Sequence, residues 1–185
     1  LPGVYEIQKV AGELSQRLRP ATLILPLHGR IPLQQQRQVL KATDEKRIIL
    51  ATNIAETSLT IEGIKVVIDS GFSRVSQFNP NSGLSRLETV QVSKDSADQR
   101  AGRAGRLSAG VCYRMWNTTL QSRLKESGIP EIEQADLSSL VLDIAQWGIV
   151  DPMQLSWLSP PPKGNVAQAS NLLHDLGALE NNRIT

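Results

Sequence analysis

The densest chemistry in this sequence lies in the run Gln99-Arg100-Ala101-Gly102-Arg103-Ala104-Gly105-Arg106. Its arginines recur at every third residue. At the start of a helix that spacing places side chains on one face, so Arg100, Arg103 and Arg106 are expected to project as a row. Gly102 and Gly105 on the flank would let another backbone approach closely. A guanidinium is always charged and donates two parallel hydrogen bonds, so a fixed row of them suits phosphate oxygens. A basic helix start facing water is the bland alternative, and a GxxG loop from Gly102 to Gly105 gripping RNA is another. The complete string, with glycines paired between arginines, favours the phosphate reading.

A second run, Ala51 to Ile61 (ATNIAETSLTI), is dense in hydroxyl and amide groups and follows an apolar stretch. Neutral donors of this kind can hold a nucleic-acid backbone without reading bases. A loop whose Ser or Thr caps a helix is the competing reading. Alone the two weigh equally; beside the arginine row the binding reading wins.

Both runs need elements that position them. Residues 4–19 place Val4, Ile7, Val10, Leu14 and Leu18 at helical spacing, and Pro20 stops the helix. Residues 32–42 read as a second helix opened by Pro32. The apolar runs 21–27, 47–52, 64–69 and 110–116 read as buried strands. Such strands alternating with helices predict an α/β fold with a mostly parallel sheet covered on both faces. Ligands on such sheets bind beyond the carboxyl ends of the strands, where the 51–61 run falls. Residues 71–93 break the rhythm: two strand-like arms flank Asn79-Pro80-Asn81-Ser82-Gly83, predicting a β-hairpin too long for a plain connection.

The texture changes after about residue 129. Residues 136–148 read as a helix with Asp136 as N-cap and Gly148 as stop. A corner at Pro160-Pro161-Pro162 precedes another helix from 165. Two domains are expected, 1–129 and a small helical or winged-helix piece at 130–185. Residues 1–129 carry 18 Lys and Arg against 11 Asp and Glu, whereas 130–185 carry 2 against 7. A basic body beside an acidic C-terminal piece suggests that the first faces polyanions, with two solvated surfaces as the plain alternative.

The 185 residues are 40% hydrophobic and 21% charged, an ordinary globular balance that excludes a fibrous or disordered chain. No apolar run approaches the ~18 residues of a membrane span, and the first residues lack a signal-peptide layout. A single cysteine, Cys112, excludes an internal disulfide framework and suits a reducing cytoplasm. With only His28 and His174 besides, no metal site is expected. Cys112 reads as strand packing, and Trp147 and Trp157 as anchors of the C-terminal piece. The chain starts at Leu1 rather than Met, as a fragment would.

The strings 51–61 and 99–106 resemble motifs V and VI of superfamily 2 helicases of the DEAH type, and the ETSLTI ending sets this group apart from DEAD-box proteins. Residues 25–36 (LPLHGRIPLQQQ) resemble the motif IV region. The hairpin between motifs V and VI is a DEAH feature. Ala145-Gln146-Trp147-Gly148, Trp157-Leu158 and the proline corner are similar to the degenerate winged helix that follows the second RecA-like domain. The wording as a whole is nearest the bacterial HrpB-type branch.

The resemblance implies a RecA-like domain, followed by the start of a winged helix, in the C-terminal half of an ATP-dependent RNA helicase. Gln99 would help to place the hydrolytic water and the γ-phosphate, and Arg103 and Arg106 would act as arginine fingers, while Arg100 anchors the motif. Thr60 and Glu62 match nucleotide-contacting positions. Gly29, Arg30, Thr52 and Asn53 match positions near the RNA backbone, and the hairpin would guide or wedge a strand. Residues 41–46 (KATDEK) hold no aromatic on which a base could stack. The chain contains neither G-x-x-x-x-G-K-[ST] nor D-E-A-H. ATP and Mg²⁺ would therefore be bound mainly by a first RecA-like domain of the same protein, and this chain alone would be inactive. Single-stranded nucleic acid, RNA by resemblance, is the expected partner. A non-catalytic nucleic-acid-binding or regulatory module on the same scaffold is the alternative, and a DNA-directed motor a third reading.

Overall fold

The computed structural model describes residues 1–56, 61–79, 82–104 and 109–185. The expectations for Thr60, Gly105, Arg106 and the centre of the hairpin loop lie outside these residues. The described chain divides into two compact units. One comprises Leu1–Val75 and Thr89–Gly128, the other Ser76–Glu88 and Ile129–Thr185.

In the first unit, α1 (Val4–Arg17) precedes β1 (Leu23–Leu27), α2 (Leu33–Leu40) and β2 (Arg47–Ala51). β1 and β2 run parallel, in register from Leu23 opposite Arg47 to Leu27 opposite Ala51. Next come β3 (Val66–Asp69) and the arms of the hairpin, β4 (Phe72–Asn79) and β5 (Leu84–Gln91). α3 (Lys94–Ala101), β6 (Val111–Arg114) and α4 (Thr118–Arg123) complete the unit. β6 runs parallel to β3, Val66 opposite Val111 through Asp69 opposite Arg114.

α1 packs on β1 and β2, α2 on β1 and α3 on β3. The amphipathic spacing of α1 buries Ile7 completely, as the strand run does Leu27. Each such side chain contributes roughly 1.5–3 kcal/mol. The β3–β6 pair departs from the expected two-sided burial. Burial alternates along both strands, and Val66, Ile68, Val111 and Tyr113 are at least half exposed. A β-branched run identifies a strand, but it does not report how many layers cover it.

Asn117 caps α4, its side-chain oxygen accepting from the Leu120 N–H at 2.8 Å. Val92, Ala97 and Leu124 form a small core there with Trp116 and Leu120. Gly71 opens β4 with φ of +79°, and a Cβ on it would stand 2.8 Å from the Trp116 ring. Its carbonyl accepts from Val92 N at 3.0 Å, which closes the base of the hairpin. Gly71→Ala is therefore expected to cost about 1–3 kcal/mol from backbone strain alone, with the ring contact adding to it. Chemical denaturation of the purified domain measures this; a midpoint unchanged from the parent would contradict it.

Of the two glycines expected to allow close backbone approach in the arginine run, Gly102 does not show it. A Cβ on Gly102 meets only ordinary contacts, with Asp98 O at 3.4 Å and Gln99 O at 3.5 Å. A Cβ on Gly110 would lie 1.8 Å from Ala104 O. Gly110, just ahead of β6, is thus a position that only glycine fits.

The second unit contains α5 (Ser138–Gln146), α6 (Lys163–Asp175), β7 (Leu179–Glu180) and β8 (Arg183–Ile184). Leu137, Val141, Ala145, Ala169, Leu173 and Leu179 form its core, with Ile132 and Val166 packed against it. Asp136 accepts from both Ser138 N and Ser138 Oγ one position before Leu137, the residue at the cap itself. Gly148, at φ of +83°, follows the end of α5. α6 begins at Lys163, directly after the prolines. β7 and β8 pair antiparallel across Asn181 and Asn182, both in the left-handed region. Phe78 N donates to Gln134 O at 2.8 Å, so the outer half of the hairpin is tied to this unit's backbone. Trp157 donates its indole N–H to Pro152 O at 2.9 Å, whereas Trp147 is 73% exposed.

Candidate functional site

Two loops leave the carboxyl ends of β1 and β2 side by side, because Leu27 and Ala51 are register partners. The first carries Gly29 and Arg30, both exposed. Arg30 N donates to His28 Nδ1 at 3.2 Å and Ile31 N to His28 O at 3.2 Å, a tight turn that leaves the Arg30 side chain outside. The second carries Thr52 and Asn53. Thr52 N donates to Leu27 O at 3.1 Å, which joins the two loops, and the 3-10 turn Asn53–Ala55 follows with Asn53 exposed. The four residues resembling nucleic-acid contacts are thus gathered at one end of one strand pair.

The arginine run sits at the end of a helix, not its start. α3 begins after Ser93, whose hydroxyl holds the Asp95 carboxyl below its ordinary pKa. It ends at Ala101 with Gly102 as its C-cap. Ser at the front and Gly at the back are the usual boundary residues, and they place Arg100 in the last turn and Arg103 beyond it. Arg100 and Arg103 consequently do not form a helical row. Gln99 is exposed near the end of α3. Asp98, beside it, pairs with Arg114 of β6, whose guanidinium lies over the Trp116 ring at 5.7 Å from its centre.

Arg100 turns inward. Its Nε donates to Glu56 Oε2 at 2.9 Å, and one terminal nitrogen donates to Asp69 Oδ1 at 3.0 Å and to Phe72 O at 3.1 Å. Only 12% of its side chain is exposed. Asp69, at the carboxyl end of β3, is 4% exposed; its Oδ1 also accepts from Gly71 N at 3.0 Å. A carboxylate this buried must be paired to remain charged. The Leu1 amino group lies close by, donating to Ala51 O at 2.9 Å. Burial, followed by the Arg100 charge, lowers its pKa.

Arg103 is directed differently. Its Nε donates to the backbone carbonyl of Glu56 at 2.8 Å, and a terminal nitrogen donates to the same oxygen. Glu56 therefore holds Arg100 through its carboxylate and Arg103 through its main chain. The second motif meets the first at this residue.

Glu62 is exposed, and its carbonyl accepts from Arg47 at 2.8 Å. Arg47 also donates to Val39 O at 2.9 Å and Lys41 O at 2.7 Å, closing the end of α2. Burial pushes the Cys112 thiol pKa up, as suits a packing residue. The described residues hold no group of three His, Cys, Asp or Glu placed to bind a metal, and no helix long and apolar enough to cross a membrane.

Glu56, Asp69 and Arg47 escaped the sequence reading. Asp69 left one signal, a carboxylate closing an apolar strand that has to find a cation. Glu56 lay inside the 51–61 string without a visible role.

The family model for the helicase conserved C-terminal domain matches residues 4–108. The chain belongs to this helicase family. The helicase domain is 46% identical to the ATP-dependent RNA helicase HrpB of Escherichia coli strain K12, across 100% of this chain and 23% of that protein. It is 41% identical to the ATP-dependent RNA helicase HrpA of Borreliella burgdorferi, across 98% of this chain and 22% of the relative. The crystal structure of the Escherichia coli DEAH/RHA helicase HrpB superposes with a TM-score of 0.92 at 46% identity, covering 100% of this chain and 24% of that one. A second crystal structure, of the Escherichia coli DExH-box NTPase HrpB, gives 0.86. The helicase domain is thus an α/β, RecA-like domain of the DEAH/RHA type, and it spans less than a quarter of the length of these relatives.

Proposed function

We propose that this helicase domain is the second lobe of an ATP-dependent RNA helicase, lending arginines to a nucleotide held chiefly by a first RecA-like lobe of the same protein. The observation that carries the reading is the meeting of the two motifs at Glu56 in a chain 46% identical over its whole length to an ATP-dependent RNA helicase. Residues 1–129 are the lobe and 130–185 the beginning of a winged helix. Arg103 and Arg106 stabilise charge developing on the transferred phosphoryl group, a role worth ~10³–10⁵ in rate. Gln99, exposed at the end of α3, orients the attacking water. Thr60 and Glu62 touch the nucleotide. Gly29, Arg30, Thr52 and Asn53 hold the backbone of single-stranded RNA, so binding has little sequence preference and weakens steeply with salt.

A nucleoside triphosphate fits this assignment, because Arg103 is held at a backbone oxygen in a charge-assisted bond that phosphate oxygens can replace. Mg²⁺, whose ligands are assigned to the first lobe, would neutralise charge on the phosphates. Closing the cleft brings the arginines to the γ-phosphate, and hydrolysis removes that attraction, an ordinary population shift. The protein works in the cytoplasm.

The test is NTP hydrolysis by the full-length protein with and without single-stranded RNA or DNA. Stimulation by RNA is expected, with background turnover from residues 1–185 alone. Full-length protein without stimulated turnover would favour a non-catalytic nucleic-acid-binding module, and stimulation by DNA alone a DNA-directed motor.

A further inference from the structure

We propose that Glu56 is a positioning residue for hydrolysis, setting the direction of both Arg100 and Arg103. The inference rests on the function proposed above and adds a residue to it. Three observations carry it. The Glu56 carboxylate is largely buried and accepts from Arg100 Nε at 2.9 Å. Its carbonyl accepts from Arg103 Nε at 2.8 Å, so one residue touches two of the three arginines. Finally, Glu56 closes the 3-10 turn that starts at Asn53, its N–H donating to Asn53 O at 2.9 Å.

These contacts have a mechanical consequence. Arg100 is held on two carboxylates, Glu56 and Asp69, and on the Phe72 carbonyl. It is the fixed point from which the chain continues to Arg103, whose N–H donates to Arg100 O at 3.1 Å. Arg103 leaves α3 where helical geometry no longer sets its direction, and the Glu56 carbonyl helps to hold it. Moving the Asn53–Ala55 turn moves this carbonyl, and the guanidinium with it. Occupancy of the nucleic-acid loop at Thr52 and Asn53 is thereby transmitted to the arginine that faces the phosphates. A displacement of about 1 Å at a reacting group costs on the order of 10²-fold in rate, so this support matters although Glu56 itself touches no substrate.

The experiment uses the full-length protein with Glu56→Ala, which removes the carboxylate and keeps the carbonyl, and Glu56→Asp, which keeps the charge on a shorter arm. Expected for Glu56→Ala is a fall in RNA-stimulated kcat of on the order of 10²-fold, with KM for ATP and affinity for single-stranded RNA within about threefold of the parent. Affinity for ADP with aluminium fluoride, which imitates the transferring phosphoryl group, falls alongside kcat, while affinity for ADP alone does not. Glu56→Asp recovers part of both. The thermal midpoint of each variant is recorded, and Glu56→Gln, which keeps the shape, replaces any variant that does not fold. Unchanged kcat and unchanged analogue affinity overturn the proposal. So does a parallel loss of ADP, analogue and RNA binding with a lowered midpoint, or failure of all variants to fold, since each makes Glu56 merely structural. A parent protein with no RNA-stimulated turnover overturns the function itself; an active parent with indifferent variants overturns only the role of Glu56.

Discussion

Arg103→Ala in the full-length protein is expected to lower RNA-stimulated NTP turnover by ~10³-fold or more while leaving RNA affinity nearly unchanged. The argument starts from what Arg103 touches. Its Nε and a terminal nitrogen donate to one backbone carbonyl, that of Glu56. A carbonyl carries no net charge, so this contact does not itself neutralise the guanidinium. Arg100, three residues earlier, has spent its charge on Glu56 and Asp69. The two arginines therefore predict different phenotypes from the same kind of substitution. Loss of Arg103 removes an interaction made in the transition state, which lowers kcat and kcat/KM together. Lysine should not rescue it, because an ammonium is a point charge without the planar pair of donors. Arg106→Ala is expected to behave likewise from its place in the motif. Steady-state kinetics with saturating RNA give the answer; turnover that survived Arg103→Ala would remove the finger assignment.

Arg100→Met is the second large effect, and it falls on stability. Removing the guanidinium leaves Glu56 and the buried Asp69 facing each other's neighbourhood without a cation between them. Breaking a buried pair by removing one partner costs about 3–5 kcal/mol. Urea denaturation of residues 1–185 reads this loss directly. The double variant Arg100→Met with Asp69→Asn should be less destabilised than the sum of the single changes, because neutralising Asp69 removes the orphaned charge. Additive losses, or a single variant as stable as the parent, would show that Arg100 is not the anchor.

The contrast between these arginines marks where reading the sequence stops. Local features were legible: the 3.6-residue spacing of α1 and the short apolar runs of β1, β2, β3 and β6 lie where the pattern puts them. The arms of β4 and β5 flank the turn residues as expected. α4 was not legible, since its mostly polar stretch Thr118–Arg123 offers only Leu120 to the core and depends on the Asn117 cap. The direction of the arginine run was misread because spacing alone does not distinguish a helix start from its end. Ser93 and Gly102 were the boundary signals to weigh. The partners of Arg100 lie 44 and 31 residues away along the chain. No local pattern encodes a contact across such separations; it exists only once β2, β3 and α3 have come together. The resemblance to helicase motifs supplied expected roles for these residues, and the folded chain adds what they hold.

The hairpin carries one more consequence, for anyone trimming this gene. Its base is fastened at Gly71 and Val92, yet residues 76–88 cluster with the C-terminal unit, where Phe78 donates to the Gln134 carbonyl. A cut at the Ile129-Pro130 junction is thus no clean scission: it would leave a ribbon of strand with unsatisfied amides and the exposed Leu84 and Leu87, an open edge that recruits other chains and favours precipitation over a soluble core.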